Sequence, residues 1–395
     1  MGHSYASQKK GIDVNEIKIP FNKPFIVGNE LSYIAQAVQS GHLAGDGYYT
    51  KACHAWLEKN LKCKKALLTH SCTAALEMSA VLSDVKPGDE IILPSFTFVS
   101  SANAFVLRGG VPVFVDINPD TLTIDEDRIE EAISDKTKII VPVHYAGFSC
   151  SMDKIMHIAE KHELLVVEDA AQSLLSTHKG EYLGTIGHMG TLSFHETKNI
   201  ISGEGGALLL NDERFIQRAE VIRDKGTNRA KYFCGEIDKY TWVDIGSSYL
   251  PSELVSAFLY AQMEKAAQII AKRRKLFDLY YSILTPLAQK GVIKLPYVDQ
   301  NCVNNGHMFY IITGSLDERI KLSDHLSNHG ILSVFHYVPL HSSPAGTFFG
   351  KVSGSMLVTD NISARLLRLP MYYQMSDVDV ELVTNSIKAF YLKTF

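Results

Sequence analysis

Leu164-Leu165-Val166-Val167-Glu168-Asp169-Ala170-Ala171-Gln172 is an apolar run of four that passes directly into two carboxylates. A short continuous apolar run bounded by polar residues reads as a strand covered on both faces. Its acidic end lies where the strand leaves the sheet. In open α/β sheets that C-terminal edge is where ligands bind. Asp169 suits a positioned acid there, and it equally suits the N-cap of a following helix; the two uses are compatible.

The same rhythm extends in both directions. Residues 65–69, 91–93, 111–117, 139–144, 192–194 and 207–210 read as further apolar strands. Helical patterns over 74–82, 102–107, 129–133 and 152–162 separate most of them. This alternation predicts an α/β domain built on a mostly parallel sheet with helices on both faces. After Arg229 the pattern changes. One long helical stretch over 252–284 reads as the passage between domains, followed by short strands at 292–295, 308–313 and 332–337 and helices at 317–329 and 376–392. The expected division is a flexible extension over 1–19, a large domain over 20–255 and a smaller α+β domain over 256–395.

A chain of 395 residues is long enough for two such domains. A formal net charge of -4 gives no support to nucleic-acid binding or to an anionic membrane surface. The six cysteines are scattered without CxxC pairs or metal-ligand spacing, which predicts free thiols and no metal. The first eleven residues are polar, and no run approaches the roughly 18 apolar residues of a membrane span. A cytoplasmic protein is the expectation.

Between the strands at 192–194 and 207–210 lies Ser193-Phe194-His195-Glu196-Thr197-Lys198-Asn199, continuing to Gly203-Glu204-Gly205-Gly206. Lys198 thus sits on a Gly- and Asn-rich loop held at both ends. A lysine forms a Schiff base when desolvation or a nearby cation keeps its amine neutral. With Asp169 as the acid that a pyridinium nitrogen requires, Lys198 reads as the lysine that holds pyridoxal 5'-phosphate (PLP). A solvated surface lysine is the plain alternative for such a residue taken alone. His70-Ser71-Cys72-Thr73 opens a helix after the strand at 65–69, and hydroxyls with free amides at a helix N-terminus suit a phosphate. Ser71 and Thr73 equally suit simple capping.

SCTAALEM, PSFTFVSSANA, PVHYAG, MDKI, EDAAQ and SFHETKN with GEGG, in this order along the chain, resemble the DegT, DnrJ, EryC and StrS family of sugar-nucleotide aminotransferases over roughly residues 20–393. The resemblance implies PLP-dependent transferase fold type I, with a seven-stranded-type sheet in the large domain, and PLP alternating with pyridoxamine phosphate. It implies that Lys198 and Asp169 are catalytic. It places Ser71, Cys72, Thr73, Phe98, Gln172 and Ser193 around the cofactor, with Phe98 on the ring face and Gln172 beside the ring's 3-oxygen. His195 would steady the site from below, and His144 could also touch substrate. Lys225, Arg229, Tyr249, His336 and His341 would meet substrate. Where most of the family carries a cross-subunit Asn, this chain has Ser248, so a shorter donor would serve the partner's phosphate.

The segments KGTNR, KYTW, DIGSSYL and VFHYVPLH resemble the branch that forms dTDP-4-amino-4,6-dideoxygalactose for enterobacterial common antigen. That implies amino transfer from L-glutamate to the 4-keto carbon of dTDP-4-keto-6-deoxy-D-glucose. Amination at C3 or of another nucleotide sugar is the alternative. The related dehydratase branch replaces the lysine with histidine, and Lys198 argues against it; a non-catalytic sensor would not need Lys198 with Asp169. The expected partners are nucleotide sugar and glutamate, and a second copy of the chain. An apolar stripe at Tyr249, Leu250, Leu254, Phe258 and Leu259 is the expected dimer surface.

Overall fold

The computed structural model describes residues 17–233 and 235–394. Seven strands build the central sheet: β1 (Lys65–Thr69), β2 (Glu90–Pro94), β3 (Val111–Val115), β4 (Thr137–Ile140), β5 (Leu165–Asp169), β6 (Met189–Ser193) and β7 (Gly206–Leu210). Their order is β1-β7-β6-β5-β4-β2-β3, and residues Lys351–Val352 add a short eighth strand in parallel beside β3. Only β7 runs against both of its neighbours. The fold is α/β with a mostly parallel sheet, as the resemblance to PLP-dependent transferase fold type I implies.

Period-two alternation explains why both faces are covered. Leu67, Ile91, Leu93, Val167, Leu208 and Leu210 pack on one side against α3 (Cys72–Leu82) and α4 (Ser100–Val106). Their strand neighbours face the other way. Ile92, Val113 and Val166 meet α5 (Met152–Lys161), while Ala66, Leu68 and Leu209 meet α2 (Tyr48–Leu61). Each large aliphatic side chain so buried contributes about 1.5–3 kcal/mol relative to exposure. Where a helix is expected at 129–133 there is one short 3-10 turn, Glu130–Ala132, preceded by another at Glu126–Arg128.

The long helical stretch is two helices, Glu253–Glu264 and Ala266–Gln289, meeting at Lys265. The first packs Ala257, Leu259 and Met263 against the amino-terminal helices at 30–39 and 48–61, inside the large unit. The second joins the C-terminal core with helices Leu316–Asn328 and Asp377–Thr394 and the antiparallel strands Phe309–Ile312 and Leu366–Leu369. The second of those strands carries no expectation from the sequence. Residues 292–295 and 332–337 make only isolated bridges.

The expected extension over 1–19 lies outside the described residues up to 16. Its last residues are tied down. Ile19 is buried in the C-terminal core, and the amides of Lys18 and Ile19 donate to Gly330 O at 2.9 and 3.0 Å. No described helix is long and apolar enough to cross a membrane.

Candidate active site

The C-terminal end of β5 is locked on its neighbour. The Asp169 amide donates to Pro142 O at 2.9 Å, and Asp169 O accepts from the His144 amide at 3.1 Å. The Asp169 carboxylate is 6% exposed, accepting from Ser101 Oγ at 2.6 Å and from the Ala171 amide at 3.1 Å. Glu168, its neighbour, points to the other face. There it accepts from the amides of Gly184, Ile186 and Gly187 at 2.6–2.8 Å and pairs with His144 Nε2 at 2.8 Å. His144 Nδ1 accepts from the Cys150 amide at 3.2 Å. His144 is therefore a fully buried clamp on the strand end and does not reach substrate.

The β6–β7 loop folds back on itself. The amides of Phe194, Glu196 and Ser202 donate to Gly205, Gly203 and Phe194 carbonyls at 2.7–2.8 Å, and Lys198 sits at the tip with its amide on His195 O at 2.9 Å. Burial holds the Lys198 amine below the ordinary lysine range, and Arg368 adds to that; Cys72 and Asp169 pull the other way. Cys72 and Asp169 are therefore close enough to feel the amine's charge. Burial pushes the Cys72 thiol up, and it bonds to Thr191. Ser193 Oγ accepts from the His195 amide at 3.4 Å, and His195 Nδ1 lies 2.9 Å from Thr197 Oγ1.

Ser71 caps α3, its Oγ accepting from the Ala74 amide at 3.1 Å. The first-turn amides of Cys72 and Thr73 precede the first intrahelical bond, which leaves them for an anion. Thr73 Oγ1 lies 2.8 Å from Ser100 Oγ. Gly206 is required here by close approach: a Cβ would stand 2.4 Å from Cys72 N and from Ser71 C. Phe98, 56% exposed, offers its ring at the opening. Gln172 is held at both ends of its amide, Oε1 accepting from the Ala146 amide at 2.6 Å and Nε2 donating to Tyr337 Oη at 2.8 Å. An anion cradle, a desolvated amine, a buried carboxylate and an open aromatic face fit PLP. Among the described residues no three His, Cys, Asp or Glu side chains are grouped to hold a metal.

The expected substrate contacts are only partly brought here. His336 is buried behind Tyr337, stacked on its ring at 3.6 Å with Nδ1 2.7 Å from Tyr145 Oη, and burial holds its imidazole well below the usual range. It supports Tyr337 instead of lining the opening. His341 is tied to Ser95 Oγ at 2.7 Å and to Asp360 at 3.4 Å. Tyr249 is buried in the core against α3, where burial and Glu77 push its phenol up to about 12. Its ring packs in that core and leaves 8% of the residue exposed. Lys225 and Arg229 are exposed and flank Asp224 at 2.9 and 3.9 Å. Ser248 is exposed and bridges to Asp224.

Sequence reasoning missed four residues. Tyr337 lies inside the quoted VFHYVPLH, and its left-handed backbone (φ +41°) aims the phenol at Gln172. Ser101 lies inside PSFTFVSSANA. Arg368 and His307 come from distant segments that carry no local signal.

Residues 24–388 match the DegT/DnrJ/EryC1/StrS aminotransferase family. GDP-perosamine synthase of Escherichia coli O157:H7 is 28% identical, over 94% of this chain and 98% of that protein. The aminotransferase TlmJ from Streptoalloteichus hindustanus superposes with a TM-score of 0.87 at 26% identity, covering 95% of this chain and 99% of that one. Spr1654 from Streptococcus pneumoniae in its PLP form superposes with a TM-score of 0.85 at 26% identity, over 95% and 99%. With this match spanning nearly the whole sequence, the chain belongs to the DegT/DnrJ/EryC1/StrS aminotransferase family and is a PLP-dependent sugar aminotransferase.

Proposed function

We propose that the protein transfers the amino group of L-glutamate to the 4-keto carbon of dTDP-4-keto-6-deoxy-D-glucose, giving dTDP-4-amino-4,6-dideoxy-D-galactose and 2-oxoglutarate. The observation that supports amino transfer is the desolvated Lys198 amine on the β6–β7 loop, within electrostatic reach of Cys72 and Asp169. The choice of sugar is supported by the KGTNR, KYTW, DIGSSYL and VFHYVPLH segments and places the product in enterobacterial common antigen synthesis. A cytoplasmic homodimer, with Ser248 turned toward the partner's phosphate site, completes this reading.

PLP, when bound, supplies a carbonyl that takes the donor amine and a ring that withdraws charge. Lys198 would hold it covalently, with Ser71, Cys72, Thr73 and Ser193 at the phosphate and Phe98 against the ring. The free Lys198 amine would accept the proton from the donor's Cα in the first half-reaction and would deliver one to C4 of the sugar in the second. A neutral amine is the form that can accept that proton, which burial favours. Asp169, its carboxylate fixed by Ser101 and Ala171, would hold a proton on the ring nitrogen. Gln172, fixed by Ala146 and Tyr337, would lie beside the ring's oxygen.

Incubation of purified holoenzyme with glutamate and a panel of dTDP-, UDP- and GDP-linked keto-sugars, with NMR of the products, tests the assignment. An axial amine at C4 of the dTDP sugar is expected. Exclusive amination at C3, or of another nucleotide, would replace the substrate while leaving the aminotransferase in place.

A further inference from the structure

The residue after the cofactor lysine is held by the C-terminal domain. Asn199 is buried, its Nδ2 donating to Asn305 O at 2.9 Å and its Oδ1 lying 3.1 Å from His307 Nδ1. An amide oxygen only accepts, so His307 carries its proton on Nδ1. Asn305 reaches in the other direction, Nδ2 donating to Gln172 O at 3.0 Å and Leu174 O at 2.9 Å. The turn between them is braced from behind. Arg273, buried on the helix Ala266–Gln289, donates to Gly306 O at 3.0 Å, His307 O at 2.6 Å and Met371 O at 3.3 Å. Gly306 has φ +61°, and a Cβ there would stand 2.7 Å from Arg273 C, so the turn is seated directly on that helix.

We infer that residues 305–307 form a strut in which His307 and Asn305 together position Lys198, through Asn199, and Gln172, through its carbonyl. His307 is thus a positioning residue for the proposed amino transfer, and the inference rests on Lys198 being the cofactor lysine. Asn199, Asn305, His307 and Arg273 are each at least nine-tenths buried, and Asn199 both accepts from His307 and donates to Asn305 O, so the loop is held by two bonds. A partly satisfied buried network is costly, so removing one donor loosens the whole. Burial, Lys198, Arg273 and Arg368 keep the His307 imidazole well below its usual range, so it serves as a neutral donor. The titratable groups that act on the Lys198 amine itself are Cys72, Asp169 and Arg368.

The strut is tested by acylating cofactor-free protein with acetic anhydride across pH and following the Lys198 peptide by mass spectrometry, alongside retention of PLP in the holoenzyme. His307→Leu removes the donor. His307→Asn keeps an N–H where Nδ1 stood. The Leu variant should move the Lys198 labelling midpoint upward toward that of surface lysines and weaken PLP retention about tenfold or more, the scale of a small misplacement in a site. The Asn variant should stay close to wild type. Should His307→Leu fail to fold, Asn199→Ala deletes the same bond from the other side and should give the same shift. An unchanged profile in the Leu or Ala variant, or an Asn variant as impaired as Leu, overturns the strut. Borohydride trapping of wild-type holoenzyme separates the two claims: cofactor on another lysine would remove the functional reading, whereas cofactor on Lys198 with unmoved profiles removes only this inference.

Discussion

Ser101 Oγ donates to Asp169 Oδ2 at 2.6 Å, with Thr97 Oγ1 2.8 Å behind it. Because the Ser101 proton is committed to the carboxylate, Thr97 must donate to Ser101, and the buried chain has one direction. Hydrogen bonds to a carboxylate are short and strong, and this one leaves Asp169 little freedom to turn. Ser101→Ala should lower kcat about tenfold with an unchanged far-UV spectrum, and Ser101→Thr should recover most of it. Asp169→Asn should cost on the order of hundredfold or more, since a positioned charge is lost. A Ser101→Ala enzyme with wild-type turnover in the glutamate half-reaction would show that Asp169 needs no such support.

Lys198 makes stability depend on pH. Its folded pKa is held below the unfolded value of 10.5, chiefly by burial. Between the two values the unfolded chain binds more protons, so stability of the cofactor-free protein rises with pH through that window. The penalty is fully present below the folded pKa. Lys198→Met should therefore raise the Tm of cofactor-free protein at neutral pH and flatten the alkaline rise. The same variant should lose all borohydride-reducible PLP. Scanning calorimetry at several pH values reads the first effect, and a variant no more stable than wild type at pH 7 counts against a desolvated amine.

Gly206 sets how closely β7 approaches the phosphate cradle. A methyl group there would meet backbone at 2.4 Å, which no side-chain motion relieves. Gly206→Ala should cost about 1–3 kcal/mol in urea unfolding and weaken PLP binding by displacing the Cys72 and Thr73 amides. Loss of stability alone, with normal cofactor affinity, would separate the glycine from the cradle.

The sheet was legible because its strands are apolar on both faces and end in polar residues, as at Val166, Val167 and Asp169. The positions of Lys198, Asp169 and the Ser71–Thr73 turn were legible for a related reason: each lies within a motif at a strand end or in the loop that follows one. The C-terminal domain was less so. Residues 292–295 and 332–337 have strand composition but make single bridges, while Leu366–Leu369 pairs with Phe309–Ile312 through a contact over fifty residues long in sequence. His336 and Tyr249 show the limit on site residues. Both lie in the expected segments, yet burial against Tyr145 and Glu77 decides their roles, and burial of a single side chain is a tertiary property.

The apolar stripe expected to serve a dimer is not exposed, for the same reason. The helix expected to expose Leu254, Phe258 and Leu259 buries Leu259 fully, and half-buries the other two, against amino-terminal helices of its own chain. The exposed apolar side chains lie just before it instead: Tyr240, Trp242, Val243 and Ile245 are each more than two-fifths exposed, Trp242 reaching 78%. Trp242 is anchored, its indole N–H donating to Asp244 O at 2.6 Å, so the face is presented in a fixed shape. Rigid aromatic side chains of this kind dominate protein interfaces. A C2 homodimer, the commonest closed assembly, should therefore bury this segment and bring Ser248, three residues further on, toward the partner's site. Trp242→Glu should weaken the dimer by roughly thirtyfold or more, equivalent to about 2 kcal/mol, as read by sedimentation velocity. Mixing Lys198→Ala with Ser248→Trp subunits should restore part of the activity, because one site of each hybrid carries neither lesion. An active monomer, or no recovery despite subunit exchange verified by native mass spectrometry, would overturn the shared site.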